Sequence, residues 1–229
     1  MNAVPPQPGL SNAAARVRSI DLQGPAGRLE AVFNEGSLQP PAVGLVCHPH
    51  PLGGGTLHNK VVYHAMKALN APQFGIGLPV LRFNFRGTGL SQGEHDGKAE
   101  KDDVLAALAW LQQEFNLPVI IVGFSFGAAM SLLASCGHSG VKAVAALGVP
   151  THADGRDYHY HFLERCTVPK LFLSGNRDPY APAADLEQVV SQAAEPKRLI
   201  FIPGADHFFT HHLSAMQSVL AAWVKEHTA

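Results

Sequence analysis

Three residues that follow apolar segments of the chain could together carry out nucleophilic catalysis. Ser125 stands in the pentapeptide Gly123-Phe-Ser-Phe-Gly127, between an apolar segment and a run of good helix formers. Asp178 and His207 each follow a later apolar segment. A histidine can take the proton of a serine hydroxyl, and an aspartate can fix the imidazole tautomer and stabilise the imidazolium. Where a serine in a G-x-S-x-G turn works with an acid and a histidine, the three residues follow one another along the chain in the order Ser, Asp or Glu, His. The order here is the same.

The surroundings of the pentapeptide give it a meaning that the five residues alone do not have. G-x-S-x-G also occurs by chance in Gly-rich turns, so by itself it is a weak signal. Between a strand and a helix, however, the tight turn holds the serine in strained backbone geometry and raises its hydroxyl above the sheet. Gly123 and Gly127 let the neighbouring elements approach closely. The amino end of the helix adds partial positive charge where an oxyanion would develop.

Other carboxylates compete with Asp178 for the acid role. Asp206 directly precedes His207. Adjacent residues on a turn rarely aim their side chains at one another, so Asp178 is the preferred acid and Asp206 its rival. Asp154 and Asp157 are weaker candidates.

The segments that must position these residues alternate between two kinds of pattern. Short apolar or β-branched runs predict strands at 17–22, 29–34, 43–47, 80–85, 119–123, 143–148, 170–174 and 198–202. Helical periodicity predicts helices at 59–70, 100–115, 126–137, 182–193 and 211–226. Turn residues at 23–27 predict that the first two strands form a hairpin. The pattern indicates an α/β fold: a mostly parallel, twisted eight-stranded sheet with helices on both faces.

Composition excludes several classes of function. The 229 residues carry a formal net charge of −1, and 46% of them are hydrophobic. This balance lacks the basic excess of a nucleic-acid-binding protein, and there is no polybasic run to hold a membrane. No run approaches the roughly 20 apolar residues of a membrane span. We expect one domain at 16–229, behind a loose leader at 1–15.

The cysteines and histidines predict neither a cofactor nor a metal site. Cys47, Cys136 and Cys166 cannot all pair with one another, and free thiols in a reducing compartment predict a cytoplasmic protein. Cys47 ends an apolar run with no base beside it, which favours a buried core thiol. The 13 histidines show no spacing such as H-E-x-x-H. The glycines at 53–55 and 87–89 match neither common phosphate-binding motif.

Taken together, these motifs resemble those of α/β-hydrolase fold serine hydrolases. More narrowly, the chain resembles the small, lidless bacterial hydrolases related to dienelactone hydrolase. The matching segments are 48–56, 82–91, the pentapeptide around Ser125, and the loops that carry Asp178 and His207. The resemblance implies an eight-stranded sheet with an antiparallel second strand, and a structural loop at 82–91. Dienelactone hydrolases use a cysteine nucleophile, so Ser125 favours ester hydrolysis over dienelactone as substrate.

The oxyanion hole is expected to use two backbone N–H groups. One belongs to Phe126, the residue after the nucleophile, and the other to the loop after the third strand. Proline has no N–H, which excludes Pro49 and Pro51. His50, Leu52 and Gly53 remain as donors. His50 or Leu52 is preferred, and the sequence does not separate these two.

The stretch at 149–168 predicts an open site. About twenty residues separate the sixth strand from the seventh, too few for a cap domain. Within it, 157–162 is rich in tyrosine and histidine. The pocket is expected to be lined by aromatic side chains, namely Phe124, Phe126, Tyr158, Tyr160 and Tyr180.

We therefore expect a cofactor-free carboxylesterase that cleaves small esters through a Ser125 acyl-enzyme. Thioester or amide cleavage by the same triad is the enzymatic alternative, because the fold does not choose among these substrates. A non-catalytic binding protein on a hydrolase fold is the alternative from another class. The expected partner is a small-molecule ester, with no nucleic acid and no membrane, and a homodimer is possible through an edge strand.

Overall fold

The structure, a computed structural model, describes residues 17–153, 156 and 158–228. The leader predicted at 1–15 lies outside these residues. The strands are β1 (Val17–Gly24), β2 (Gly27–Asn34), β3 (Val43–Cys47), β4 (Val80–Phe83), β5 (Val119–Phe124), β6 (Val141–Leu147), β7 (Lys170–Gly175) and β8 (Lys197–Ile202). The α-helices are α1 (Lys60–Asn70), α2 (Glu100–Phe115), α3 (Phe126–Ser135), α4 (Ala183–Gln192) and α5 (Leu213–Glu226). Short 3-10 helices span Pro51–Gly53, Pro72–Phe74 and His161–Arg165.

All eight strands form one sheet in the order β1-β2-β4-β3-β5-β6-β7-β8. β2 pairs antiparallel with both β1 and β4, while the pairs from β4 through β8 are parallel. The predicted α/β fold, hairpin and antiparallel second strand are confirmed. The hairpin turn is tighter than predicted, because Gln23 pairs with Arg28 and Gly24 pairs with Gly27.

Helices cover both faces of the sheet. α1 and α5 bury Val61, Leu69 and Leu220 in the core on one face. α2, α3 and α4 bury side chains such as Leu108 and Leu132 in the core on the other face. β3 and β5 are buried along their whole length, as expected for parallel strands covered on both sides. The loops that follow β3 and β5 lie at the carboxyl edge of the sheet, where ligands bind in such folds.

No cap domain lies between β6 and β7 in the described part of this segment. It contains an isolated bridge between Ala153 and Arg156 and the 3-10 helix His161–Arg165. The lidless architecture predicted from the length of this segment is confirmed. The segment lies beside the carboxyl edge of the sheet and supplies one wall of the site described below.

The predicted free thiols are wrong for two of the three cysteines. Cys136, at the end of α3, forms a disulfide with Cys166, at the end of the 3-10 helix His161–Arg165. Thirty residues separate the two cysteines in sequence, so only the tertiary fold brings them together. The disulfide removes one of the grounds for the cytoplasmic location, which stays a prediction. Within the described residues, no helix is long and apolar enough to cross a bilayer.

Candidate active site

The turn between β5 and α3 presents Ser125 at the carboxyl edge of the sheet. Ser125 has φ 55° and ψ −121°, a conformation that non-glycine residues rarely adopt. A Cβ on Gly123 would lie 2.3 Å from the Gly127 carbonyl oxygen, and one on Gly127 would lie 2.4 Å from the His48 carbonyl oxygen. Both glycines are therefore required for the close approach of β5, α3 and the loop after β3. The strained serine turn predicted from the pentapeptide is present.

Ser125, His207 and Asp178 form a continuous hydrogen-bonded chain. His207 Nε2 lies 2.9 Å from Ser125 Oγ, and His207 Nδ1 lies 2.7 Å from Asp178 Oδ2. Asp178 follows β7 and His207 follows β8, so two neighbouring parallel strands deliver both residues to the same edge. Ser125 is half-buried, whereas His207 and Asp178 are each 4% exposed. This arrangement can transfer the serine proton to an imidazole that a buried carboxylate orients.

The carboxylate of Asp178 is fixed by its own loop. Its Oδ1 accepts a hydrogen bond from the Tyr180 N–H at 2.8 Å, and Ser174 Oγ lies 3.3 Å from Oδ2. The rival Asp206 instead accepts a hydrogen bond from the Thr210 N–H at 2.8 Å. The weaker candidates, residues 154 and 157, lie outside the described residues. Among the described candidates, Asp178 is the carboxylate bonded to the imidazole.

Aromatic rings and one glycine enclose the His207 imidazole. The ring centroids of Tyr180 and Phe124 lie 4.6 Å and 5.1 Å from that of His207. Gly148, which ends β6 with φ 53°, leaves room for the imidazole. A Cβ on Gly148 would lie 3.3 Å from His207 Cε1 and Nδ1. Packing thus restricts the ring to the orientation that joins Ser125 to Asp178.

Two free backbone N–H groups lie beside Ser125. Among the described residues, the N–H groups of Phe126 and His50 have no hydrogen-bond acceptor. The Leu52 N–H is already bonded to His50 Nδ1 at 3.1 Å, and its side chain is 81% exposed. His50, unlike Leu52, lines the Ser125 cavity. Of the two donors that the sequence left open, the geometry favours His50.

His48 anchors the loop that carries His50. Its Nε2 accepts a hydrogen bond from the Phe85 N–H at 3.0 Å, and its Nδ1 lies 2.6 Å from the Pro49 carbonyl oxygen. Burial lowers the pKa of His48 to about 4. A neutral ring with the proton on Nδ1 satisfies both contacts, so His48 joins the loops after β3 and β4.

A second histidine–carboxylate pair, which the sequence analysis did not identify, lies on the other side of His50. His95 Nε2 is 3.1 Å from His50 Nε2. His95 Nδ1 contacts Glu100 Oε1 at 2.5 Å, although the two atoms are not aligned for a hydrogen bond. Both side chains are buried. No motif joins His95 to Glu100, and the contact with His50 spans 45 residues, so the sequence held no signal for this cluster.

The loop before this pair is held by an ion pair. Arg86 Nη2 lies 2.6 Å from Asp103 Oδ1, and the Arg86 N–H donates to Asp103 Oδ2 at 3.0 Å. The hydrogen bond to Asp103 raises the pKa of Arg86, which keeps the guanidinium charged. The glycine-rich segment 82–91 therefore ties the loop after β4 to α2, as the structural interpretation of this segment predicted.

The cavity above Ser125 has a volume of about 310 Å³. Its lining includes His50, Ser125, Tyr158, Tyr180 and His207. Two of the five predicted pocket residues, Tyr158 and Tyr180, therefore line it.

The other three predicted pocket residues lie elsewhere, which corrects the prediction. Phe124 is 0% exposed and packs beneath His207, because its side chain belongs to the last, inward-facing position of β5. The Tyr160 hydroxyl donates to the Pro150 carbonyl oxygen at 2.7 Å, which turns the ring toward an adjacent groove. Phe126 also lines that groove rather than the Ser125 cavity.

Cys47 has no access to this site. It is 0% exposed, and burial raises the pKa of its thiol to about 12. A thiolate nucleophile is therefore absent at physiological pH. The interpretation of Cys47 as a buried core thiol agrees with the structure.

Comparisons with known proteins agree with this geometry. A family model described as an alpha/beta hydrolase domain matches residues 49–226. An uncharacterized protein from Rickettsia prowazekii is 37% identical over 202 residues, which cover 84% of this chain and 82% of that protein.

Two solved structures are similar along nearly their whole length. An alpha-beta serine hydrolase homologue from Coxiella burnetii has a TM-score of 0.80 and 32% identity, over 90% of this chain and 97% of that chain. A serine hydrolase without a lid from Xanthomonas campestris has a TM-score of 0.79 and 27% identity, over 96% of this chain and 97% of that chain. The predicted likeness to lidless serine hydrolases is confirmed, and the narrower relation to dienelactone hydrolase stays a prediction.

Proposed function

The chain belongs to the α/β hydrolase family, and from this premise we propose that it hydrolyses small carboxylic esters through an acyl-enzyme on Ser125. The observation that carries the proposal is the chain from Ser125 Oγ through the His207 imidazole to the Asp178 carboxylate, with distances of 2.9 Å and 2.7 Å. Each member has a defined part in acyl transfer.

In the acylation step, Ser125 Oγ attacks the ester carbonyl carbon while His207 Nε2 takes the hydroxyl proton. The carbonyl π electrons move onto oxygen, and the N–H groups of Phe126 and His50 stabilise the resulting oxyanion. The intermediate then collapses, and the C–O bond to the alcohol breaks. His207 returns its proton to the leaving alkoxide, so the products are a free alcohol and an acyl-serine.

In the deacylation step, water replaces the alcohol. His207 takes a proton from the water as its oxygen attacks the acyl carbon, and the same two N–H groups stabilise the second oxyanion. Collapse breaks the bond between the acyl carbon and Ser125 Oγ, which recovers the proton. Asp178 stays ionised throughout, because its task is to stabilise the imidazolium and hold its tautomer.

The limited volume of the Ser125 cavity, about 310 Å³, supports small acyl groups. The test is hydrolysis of a p-nitrophenyl ester series from acetate to dodecanoate, with Ser125→Ala prepared identically. We expect activity that peaks at short chains and falls below a few per cent in Ser125→Ala. Treatment with a fluorophosphonate probe should add one phosphonyl group, and peptide mapping should locate it on Ser125.

Three outcomes would change the proposal. Substantial activity in Ser125→Ala would contradict the nucleophile. Faster turnover of acyl-CoA or aminoacyl-anilide substrates than of matched esters would replace the esterase with a thioesterase or amidase. Failure to hydrolyse any substrate, together with failure to react with the probe, would favour a non-catalytic binding protein.

A further inference from the structure

A second and larger cavity opens beside the one above Ser125. Its volume is about 820 Å³, compared with about 310 Å³ for the Ser125 cavity. We call it the lateral groove and define it by its lining residues: His50, Leu52, His95, Asp96, Gly97, Lys98, Lys101, Phe126, Ala129, Met130, Leu133, Arg156, Tyr158, His159, Tyr160 and Phe162. Three of these residues, His50, Arg156 and Tyr158, also line the Ser125 cavity. The two cavities are therefore adjacent, with these three residues at their common boundary.

The floor of the lateral groove is apolar. α3 contributes Ala129, Met130 and Leu133, of which Leu133 is 37% exposed. Tyr160 and Phe162 face this helix from the segment between β6 and β7. An exposed apolar lining of this kind marks a binding surface more often than a solvated face.

The rim of the groove is basic. Lys98, Lys101 and Arg156 line it, and Asp96 is the one acidic residue among its described lining residues. The Asp96 carboxylate accepts hydrogen bonds from the N–H groups of Lys98 and Ala99 at 2.7 and 2.8 Å. Asp96 therefore caps the chain at the start of α2, and no ion pair joins it to either lysine ammonium in the described part of the chain.

We propose that the lateral groove is a second subsite for the substrate, and that it selects esters with an anionic group beyond an apolar spacer. This inference rests on the proposed function. Because the two cavities are adjacent, the groove is assigned to the distal part of an ester that extends past their common boundary. The apolar floor takes the spacer, and the basic rim takes the charge. Carboxylate and phosphate share the chemistry that the rim recognises.

The test compares matched substrates that differ in their terminal group. In one series the acyl part changes, from p-nitrophenyl hexanoate to the mono-p-nitrophenyl ester of adipic acid. In the other the alcohol part changes, from hexyl butyrate to 6-butyryloxyhexanoate and 6-butyryloxyhexyl phosphate. We expect the anionic member of at least one series to have the higher kcat/KM, and the preference to weaken as salt is raised. The phosphate arm separates phosphate from carboxylate recognition.

The double variant Lys98→Gln/Lys101→Gln should lower the anionic-to-neutral ratio of kcat/KM by about three- to tenfold, as expected for exposed charge pairs. The matched control Lys142→Gln/Lys225→Gln removes two exposed lysines outside the groove and should leave the ratio unchanged. A wild-type ratio at or below one in both series, or an unchanged ratio in the Lys98/Lys101 variant, would overturn the subsite. Ser125-dependent hydrolysis of the neutral esters would still stand in that case, so the two failures are distinguishable.

A different observation, the histidine–carboxylate pair next to His50, carries a second inference. His50 Nδ1 accepts the Leu52 N–H, so the proton of the neutral His50 ring is on Nε2 and points to His95 Nε2. His95 Nε2 is then the acceptor in this contact, and His95 Nδ1 faces the Glu100 carboxylate. Burial, with the nearby charge of Arg156, lowers the pKa of His50 to about 4, which keeps its ring neutral.

The geometry points to His95 and Glu100 as positioning residues for the oxyanion hole. They hold the His50 ring, and the His50 backbone supplies one of the two free N–H groups beside Ser125. The Phe126 ring, whose residue supplies the other N–H, packs against both imidazoles at centroid distances of 5.0 and 5.5 Å. Neither His95 nor Glu100 lines the Ser125 cavity, so their effect on the reacting carbonyl is exerted through His50.

The test replaces His95 with two residues that differ in hydrogen bonding. His95→Phe keeps an aromatic ring against Phe126 but cannot accept from His50, and it should lower kcat about tenfold with little change in KM. This is less than the 10²–10³-fold loss that follows removal of an oxyanion donor. His95→Gln can accept through its side-chain oxygen and should recover most of the loss.

Binding of a boronic acid, which forms a tetrahedral adduct on serine, should weaken in His95→Phe by the same factor as kcat. A merely structural role would lower thermal stability without the kcat-against-KM split and without recovery in His95→Gln. Wild-type kcat in His95→Phe, at unchanged stability, would overturn the positioning role.

Discussion

Two histidine–carboxylate pairs flank Ser125, and they resemble each other closely in composition and burial. In one, His207 Nδ1 lies 2.7 Å from Asp178 Oδ2, and in the other His95 Nδ1 lies 2.5 Å from Glu100 Oε1. Both carboxylate side chains are fully buried, and the imidazoles are 5% and 8% exposed. Burial and the closeness of a carboxylate therefore do not distinguish a base from a structural imidazole.

The partner of the far nitrogen makes the difference. His207 Nε2 faces the hydroxyl of Ser125, which can give up a proton as it attacks a carbonyl carbon. His95 Nε2 faces the neutral imidazole of His50, which is not positioned as a nucleophile. Under the proposed function, the same chemical pair serves as a general base on one side of Ser125 and as a positioning pair on the other. The contrast predicts that loss of His207 or Asp178 lowers activity far more than loss of His95 or Glu100.

The largest effect is expected from removing the two imidazoles in turn. His207→Gln should lower kcat by about 10⁴- to 10⁶-fold, because it removes the base and the acid of both half-reactions. His95→Gln should lower it by less than about tenfold, because glutamine retains an acceptor for His50. Steady-state hydrolysis of p-nitrophenyl acetate measures both variants. Similar losses in the two would contradict the assignment of different roles.

Neutralising the two carboxylates should give the next largest contrast. Asp178→Asn should lower kcat by up to about 10⁴-fold, because the amide favours the wrong imidazole tautomer. Glu100→Gln should stay within about tenfold of wild-type kcat. Asp206→Asn is the matched control and should retain activity, since Asp206 bonds the Thr210 N–H. An active Asp178→Asn enzyme with an inactive Asp206→Asn enzyme would move the acid role to Asp206.

A third buried histidine, His48, has no carboxylate partner, and its effect should appear in stability. Burial lowers its folded pKa from 6.5 to about 4, so between these values the unfolded chain binds the proton and the folded chain does not. Stability should therefore fall as the pH drops from 7 to 5, by about 2 kcal/mol from this residue. Urea unfolding of wild type and His48→Gln at both pH values measures the difference. An equal pH dependence in the variant would show that His48 does not contribute.

The smallest effect tests the packing of His207. Gly148→Ala would bring a Cβ to 3.3 Å from the imidazole and should lower kcat about tenfold through a shift of the ring. Gly137→Ala is the matched control: Gly137 also has positive φ, at 85°, but nothing lies within 4 Å of its added Cβ. Alanine is strained at either position because φ is positive at both, but only Gly148→Ala should slow turnover. Equal kcat values in the two would show that Gly148 does not constrain the ring.

Periodicity along the chain predicted all eight strands and five helices, with boundaries that differ by a few residues. It also predicted the meeting of Ser125, Asp178 and His207, because the carboxyl ends of neighbouring parallel strands converge on one edge of a sheet. A residue that directly follows such a strand has its position set by the sheet. For these elements and these three residues, local sequence pattern and sheet topology are enough to predict the structure.

Side chains whose neighbours come from distant loops could not be predicted in this way. The choice of His50 over Leu52 depends on the turn at 51–53, which bonds the Leu52 N–H to the His50 ring. The disulfide between Cys136 and Cys166 depends on how the segment after β6 folds back on α3.

The sequence by itself therefore determined the fold class, the lidless architecture and the types and order of the three residues at the nucleophile. The tertiary structure alone decided which aromatic rings face the substrate, which N–H groups are free, and that His95 and Glu100 meet His50. The physical reason is that strand and helix periods fix directions within an element, whereas side chains on loops turn toward contacts that only the packed chain supplies.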